Sequence, residues 1–231
     1  MRTLIISDIH GNLPALEAVL AAEQSYDTCL FLGDVVDYGP FPKECIEFLA
    51  KEMDYGVIGN HDNAIAYDTD CGCRGDFRRF AEETRYWHKT LLGPAELRFL
   101  RSLPPLKSTG IDGQSVLLAH ATPQGNLSQY LSNDEVDEAL AGVSAQLVLL
   151  GHTHIQFKKH VGNTLVVNPG SVGLARDGGQ ACYAILHDQQ VTLHRIPYDV
   201  ERTIRALERA PISTGSKQGL ANVLHGKLVP S

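Results

Sequence analysis

The sequence predicts a layered α/β fold with a binding crevice at the carboxyl ends of its strands. Short, β-rich apolar runs alternate with stretches whose apolar residues fall at helical spacing. Nearly every apolar run stops at a residue that could bind a metal. The length of 231 residues suits one domain with a well-buried core and is short for two.

Thr3 to Ser7 reads as a buried strand ending at Asp8 and His10. A helix follows over Asn12 to Gln24, with Leu13, Leu16, Ala18, Val19 and Leu20 at helical spacing, Asn12 as N-cap and Pro14 in the first turn. Thr28 to Leu32 is a second strand, ending in Gly33-Asp34, and Pro42 to Glu52 a second helix. Tyr55 to Ile58 ends in Gly59-Asn60-His61-Asp62. Residues Asn63 to Asp112 depart from the alternation; they hold two helix-like segments, Asp76 to Lys89 and Pro94 to Leu103, and read as a helical insert capping the site.

Ser115 to Ala119 is a strand ending at His120, and Ser132 with Glu135 forms a capping-box signal for a helix to Leu140. Gln146 to Leu150 ends in Gly151-His152, and Leu165 to Val167 in Asn168-Pro169-Gly170-Ser171, a tight turn supporting the histidine loop. Ala181 to Leu186 and Gln190 to Ile196 form a hairpin around His187-Asp188-Gln189. Pro211 to Ser231 reads as a loose C-terminal tail, an arm to a neighbouring subunit in a homo-oligomer, or part of a lid. One domain is expected over residues 1–231.

The net charge of −7 argues against a nucleic-acid-binding face but leaves room for a small anionic substrate, because bound cations dominate a local field. The N-terminal apolar run is too short for a secretory signal, and no stretch reaches the length of a membrane span, so a soluble, cytoplasmic protein without membrane partners is expected. Five scattered cysteines do not suggest a disulfide framework. Cys71-Gly-Cys73 lacks further ligands nearby in sequence and reads as a plain loop.

Asp8 and His10, two apart in extended chain, point to one face. Gly33-Asp34-Val35-Val36-Asp37 adds carboxylates, Asn60 and His61 an amide and an imidazole, and His120, His152 and His154 three more imidazoles. Singly, each has an ordinary structural explanation as a turn, a cap or a hydrogen-bonded histidine. Together, five of the ten histidines with Asp8, Asp34 and Asn60 meet at strand ends in one crevice. Nitrogen and oxygen donors without thiolate suit Mn, Fe or Zn. Seven ligands exceed one tetrahedral zinc, whereas two ions about 3.5–4 Å apart would use them all.

The set Asp8-x-His10, Gly33-Asp34-x-x-Asp37, Gly59-Asn60-His61-Asp62, His120 and Gly151-His152-x-His154 resembles the calcineurin-like metallophosphoesterases in identity, order and approximate spacing, from residue 4 to about residue 198. The opening DIHGNLPALEAVL and the NPGSVG at 168–173 look most like the small bacterial and archaeal branch, described as phosphodiesterases or phosphatases. The resemblance implies a four-layer αββα sandwich of two mixed sheets flanked by helices. It implies two divalent transition-metal ions, Mn favoured. Asp8, His10, Asp34 and His154 would bind the first, with Asp34 bridging, and Asn60, His120 and His152 the second.

His61 would donate a proton to the leaving group, oriented by Asp37. Protein phosphatases of the family carry an arginine after the Asp37 position to grip phosphate, but this chain has Tyr38. Arg74, Arg78 and Arg176 are the candidate replacements. The expected activity is hydrolysis of a phosphomono- or phosphodiester of a small phosphorylated compound or nucleotide; a nuclease or a non-enzymatic scaffold on the same fold are the alternatives.

Overall fold

The computed structural model describes residues 1–131 and 135–227. The first sheet begins with β1 (Arg2–Ile6), in which Leu4 and Ile6 face one side and Ile5 the other, all buried. Asn12 caps α1 (Leu13–Ala22) by accepting the Ala15 N–H at 3.3 Å, and Pro14 occupies its first turn. Then come β2 (Thr28–Phe31), α2 (Pro42–Glu52) and the two-residue β3 (Tyr55–Gly56). Three helices follow in sequence, α3 (Asn60–Tyr67), α4 (Gly75–Leu91) and α5 (Pro94–Ser102).

The second sheet takes β4 (Leu106–Ile111), β5 (Gln114–Ala119), β6 (Leu147–Leu149), β7 (Phe157–Val161) and β8 (Thr164–Asn168), with α6 (Glu135–Ala139) between β5 and β6. The chain then returns to the first sheet through the hairpin β9 (Ala181–His187) and β10 (Gln190–Ile196), and ends in α7 (Val200–Leu207) and α8 (Thr214–Leu224).

Strand order is β10-β9-β1-β2-β3 in one sheet and β4-β5-β6-β8-β7 in the other. Both are mixed: β1, β2 and β3 run parallel, as do β5, β6 and β8, and antiparallel strands complete each sheet. The faces turned toward each other share a core of Ile5, Leu30, Val116, Leu118, Leu149 and Val167, among others. The outer face of the first sheet packs on α1, α2 and α5 through Leu4, Ile6, Leu16, Leu49 and Leu100. The outer face of the second packs Val148 and Val166 against Val136 of α6. Each buried aliphatic side chain contributes about 1.5–3 kcal/mol of transfer free energy. The result is the four-layer αββα sandwich that the resemblance implies.

Two expectations need correction. The insert read over residues 63–112 is not helical throughout: Leu106–Ile111 is the edge strand β4, whose polar Lys107, Ser108 and Thr109 hid it from a search for apolar runs. The helices expected at Asp76 and Pro94 are seen as α4 and α5, and α3, which begins at Asn60, precedes them. The tail read as loose, an arm or a lid contains α8, docked through Leu220, Val223 and Leu224 into a cluster with Phe80 of α4 and Leu207 of α7. The helix expected from Ser132 is seen as α6, and Ser132 itself lies outside the described residues. Among the described residues no helix is long and apolar enough to cross a membrane.

Candidate metal centre

Asp8, His10, Asp34, His120, His152 and His154 follow the carboxyl ends of β1, β2, β5 and β6, and Asn60 opens α3 beside them. All seven are buried. Five of them (Asp8, His10, Asp34, His152 and His154) have a left-handed backbone, with φ between 48° and 66°. For a non-glycine residue that conformation costs on the order of 1–3 kcal/mol and persists only where the surroundings enforce it.

Here backbone bonds enforce it. Asp8 N–H donates to Gly33 O at 2.9 Å, His10 N–H to Asp34 O at 3.1 Å, and His152 N–H to Asp8 Oδ2 at 3.1 Å. Asp62, given no role from sequence, accepts N–H bonds from Asp34 (2.7 Å), Val35 (2.8 Å) and Gly59 (3.2 Å) and pins the two loops together. The loops approach so closely that a Cβ on Gly59 would lie 2.0 Å from Asp34 Oδ1.

Hydrogen-bond accounting sets the ring orientations. Nδ1 of His10, His120 and His154 each faces a backbone carbonyl, of Val36 (2.7 Å), Leu32 (2.8 Å) and Leu174 (2.7 Å). A carbonyl only accepts, so each Nδ1 carries a proton and each Nε2 points inward, presenting a lone pair whenever its ring is neutral. Asn60 Nδ2 donates to Cys71 O at 2.8 Å, which likewise turns Oδ1 inward. Carbonyl anchoring of this kind is how proteins orient imidazole ligands.

The consequence is a crowd of acceptors. His10 Nε2 lies 3.2 Å from His154 Nε2, His120 Nε2 2.9 Å from Asn60 Oδ1 and 3.1 Å from Asp34 Oδ2, and His154 Nε2 3.3 Å from Asp8 Oδ1. Asp8 Oδ1, Asp34 Oδ2 and His152 Nε2 are buried without an aligned hydrogen bond among the described residues. Facing lone pairs repel unless a proton or a metal ion lies between them, and in the metal-free protein His120 supplies one such proton toward Asp34.

Burial opposes ionisation of Asp8, but the His154 and His120 imidazoles outweigh it and hold the carboxyl at about 2. Burial would lower His120, yet Asp34 raises it to about 9. Burial takes His10 and His152 down to about 3, so both stay neutral and able to ligate. Ligand atoms of Asp8, His10 and His154, of His10, Asp34 and His61, and of Asp34, His120 and His152 form groups within 4.8 Å, consistent with divalent metal binding.

His61 stands at the rim of this centre. Its Nδ1–H donates to Asp37 Oδ2 at 2.7 Å, leaving Nε2 3.4 Å from the Tyr38 hydroxyl and 3.3 Å from Cys73 Sγ. Burial works against an imidazolium, but Asp34 and the Asp37 hydrogen bond raise the His61 pKa above its ordinary value. Arg85 of α4, missed in the sequence, donates to the same Asp37 oxygen from Nη2 at 2.6 Å and from Nε at 3.1 Å. His88, assigned nothing from sequence, accepts the Asp37 N–H at 3.1 Å and donates to Gly39 O at 2.9 Å. Thr84 and His88, four apart on the buried face of an otherwise polar helix, were the available signal.

The candidate arginines lie in different surroundings. Arg78 is exposed and paired with Glu82 at 2.8 Å and Asp70 at 3.6 Å, and Arg74 is exposed at the N-cap of α4. Arg176 is half-buried, 4.4 Å over the Phe77 ring and 5.8 Å from the Tyr130 ring, which itself lies 4.2 Å from His152. A cavity of about 520 Å³ beside it is lined by Tyr130, Thr153, Ile155, Phe157 and Arg176. Tyr38, in the position of the phosphatase arginine, is buried and its pKa is pushed well up by burial. Asn168 Nδ2 donates to Gly151 O at 2.6 Å and to Thr153 Oγ1 at 3.1 Å, so the NPGS turn braces the histidine loop.

Cys71-Gly-Cys73 has no further ligand nearby in sequence and reads there as a plain loop, but the fold brings His61 to it, with one ligand atom of each residue inside 4.8 Å.

A two-sheet sandwich carrying inward-facing imidazoles and carboxylates at its strand ends defines a metal-dependent hydrolase. The chain belongs to the calcineurin-like phosphoesterase superfamily, whose domain matches residues 1–190, and it is a metal-dependent phosphoric ester hydrolase. It is 32% identical over 219 residues to uncharacterized protein MJ0912 of Methanocaldococcus jannaschii, covering 86% of this chain and 88% of that one. It is 24% identical over 197 residues to phosphodiesterase YfcE of Escherichia coli K12, covering 84% and 91%. The solved metallophosphoesterase from Sphaerobacter thermophilus is similar in structure, with a TM-score of 0.82, 32% identity, and coverage of 96% and 98%.

Proposed function

We propose that this chain uses two divalent transition-metal ions, manganese by preference, to hydrolyse a phosphoric ester of a small phosphorylated compound or nucleotide. Asp8, His10, Asp34 and His154 would hold one ion, Asn60, His120 and His152 the other, with Asp34 shared. The observation that carries this reading is the convergence of inward-facing imidazole nitrogens and carboxylate oxygens on one buried point. The absence of thiolate from that donor set favours manganese or iron over a structural zinc. Bound there, the ions supply a water ionised near neutral pH and neutralise the phosphoryl oxygens.

The chain's own residues do the rest. His61, held as imidazolium by Asp34 and Asp37, presents Nε2–H to the leaving oxygen. Asp37 fixes the ring, and Arg85 fixes Asp37. Arg176 is the arginine best placed to meet a substrate phosphate, because it borders the cavity next to Tyr130 and His152. Arg78 is held in surface ion pairs instead. The name of the YfcE relative makes a diester the first substrate to try.

Protein stripped of metal and reloaded with Mn²⁺ should turn over bis-(p-nitrophenyl) phosphate or p-nitrophenyl phosphate. Turnover of neither would count against the reading. A panel of monoesters, diesters, cyclic nucleotides and dinucleoside polyphosphates then selects the substrate class.

A further inference from the structure

We propose that His61, Cys71 and Cys73 form a third metal site, for a thiophilic divalent cation such as Zn²⁺ or Cd²⁺, and that filling it switches the enzyme off. The inhibitory half rests on His61 being the acid proposed above; the site itself does not. The three side chains are buried, with exposures of 4%, 2% and 6%, and one ligand atom of each lies within 4.8 Å of the others. Ligands around a tetrahedral zinc, at about 2.0–2.3 Å from it, sit about 3.5–3.8 Å apart, so closure of at most about 1 Å completes the set.

The surroundings aim these atoms at one another. His61 Nδ1 is engaged by Asp37, which leaves Nε2 to face Cys73 Sγ at 3.3 Å. The Cys71 carbonyl is tied to Asn60 Nδ2, and Gly72, at φ +77°, turns the chain between the two thiols. Its N–H donates to Asp70 Oδ1 at 2.9 Å. Cys29 and Cys45, by contrast, pack in the apolar cluster of the first sheet.

The donor sets divide cations by softness. Two sulfurs and one nitrogen select zinc or cadmium, whereas the oxygen- and nitrogen-rich centre next door accommodates manganese. A metal on His61 Nε2 occupies the lone pair that must otherwise carry the proton for the leaving group. Activity would then depend on the balance between the two kinds of metal.

The test uses wild-type protein loaded with Mn²⁺ and kept reduced by a phosphine, titrated with Cd²⁺. The thiolate-to-cadmium ultraviolet absorption, the metal content and turnover of bis-(p-nitrophenyl) phosphate are read together. The absorption should saturate at one Cd²⁺ per chain with Mn²⁺ retained, and turnover should fall at least about 10²-fold, the usual contribution of an acid. Cys71→Ser/Cys73→Ser should show no such absorption and keep its own turnover at that Cd²⁺ concentration, while Cys182→Ser should behave as wild type.

If the double variant does not fold, Cys71→Ser alone should still weaken Cd²⁺ binding at least about tenfold, a loss of about 1.4 kcal/mol. No thiolate absorption in wild type, or absorption that survives in Cys71→Ser/Cys73→Ser, overturns the site. One-to-one absorption with undiminished turnover overturns the inhibition alone. Inactivity of the Mn²⁺ enzyme before cadmium is added tells against the phosphoesterase reading, while the absorption still reports on the site.

Discussion

Arg85 and His61 grip the same oxygen of Asp37: guanidinium Nη2 at 2.6 Å and imidazole Nδ1 at 2.7 Å both meet Oδ2. A single buried carboxylate oxygen thus couples α4 to the first turn of α3. Two cationic donors also hold the Asp37 carboxyl below its ordinary range, against the opposing effect of burial.

Arg85 should therefore act by positioning. Arg85→Ala should lower kcat about tenfold, consistent with loosening an acid worth roughly 10²–10⁴-fold. Metal content should stay at the wild-type level, and Arg85→Lys should recover part of the loss. Steady-state kinetics with metal analysis on the same preparation checks this; loss of metal in Arg85→Ala would mean that it acts through the fold.

Asp37→Asn should move the alkaline limb of kcat/KM. Burial lowers the His61 pKa, while Asp34 and Asp37 raise it beyond that effect. Removing the Asp37 charge disfavours the imidazolium, so the acid loses its proton at lower pH. The limb should shift to lower pH in the variant, as read from pH–rate profiles; an unmoved or upward-shifted limb contradicts the pairing.

Metal uptake should release protons. Burial lowers the His120 pKa but Asp34 raises it to about 9, so in the metal-free protein this imidazole carries a proton at neutral pH that a ligated Nε2 cannot keep. Calorimetry of Mn²⁺ binding in buffers of different ionisation enthalpy should give net release near pH 7, and affinity should fall as pH falls. Proton uptake, or no proton exchange, would count against His120 as a ligand.

His88 should make the fold acid-sensitive. Burial, with a contribution from Arg85, depresses its pKa from 6.5 to about 4. Above pH 6.5 both folded and unfolded forms are neutral and the full stability is present. As pH falls through that value the unfolded chain takes up a proton that the folded one refuses, so stability declines until the folded group protonates near 4. The loss approaches about 3 kcal/mol at 1.36 kcal/mol per unit. His88→Gln should flatten this part of the urea-midpoint profile between about pH 7 and 4; a profile as steep as wild type would assign the acid sensitivity elsewhere.

Most of the centre was legible because its residues follow buried parallel strands, and such strands appear in sequence as short apolar runs. Asp8, Asp34, His120 and His152 stand where those runs stop. The edge strands were harder. β4 and β7 place Lys, Ser, Thr and His between apolar end residues because one side meets solvent, so neither has a continuous apolar run. Arg85 and the Cys71–His61 proximity were hidden for another reason. The first depends on how α4 packs on the loop after β2 and the second on how the loop after α3 folds back on that helix, which periodicity within one helix does not encode. The α8 helix was obscured by its Gly215 and Gly219, yet a Cβ at the latter would lie 2.1 Å from the Phe80 ring, so the small residue allows close docking.

On the proposed roles, Asp34 holds metal while His61 handles the proton. Asp34→Asn and His61→Ala, purified alongside wild type and reloaded with Mn²⁺, should be compared for metal per chain and turnover of bis-(p-nitrophenyl) phosphate. His61→Ala should keep about two ions, as expected of a paired centre, and lose at least about 10²-fold in turnover. Asp34→Asn should lose the ions themselves. Loss of metal in His61→Ala, with both ions retained in Asp34→Asn, would contradict it.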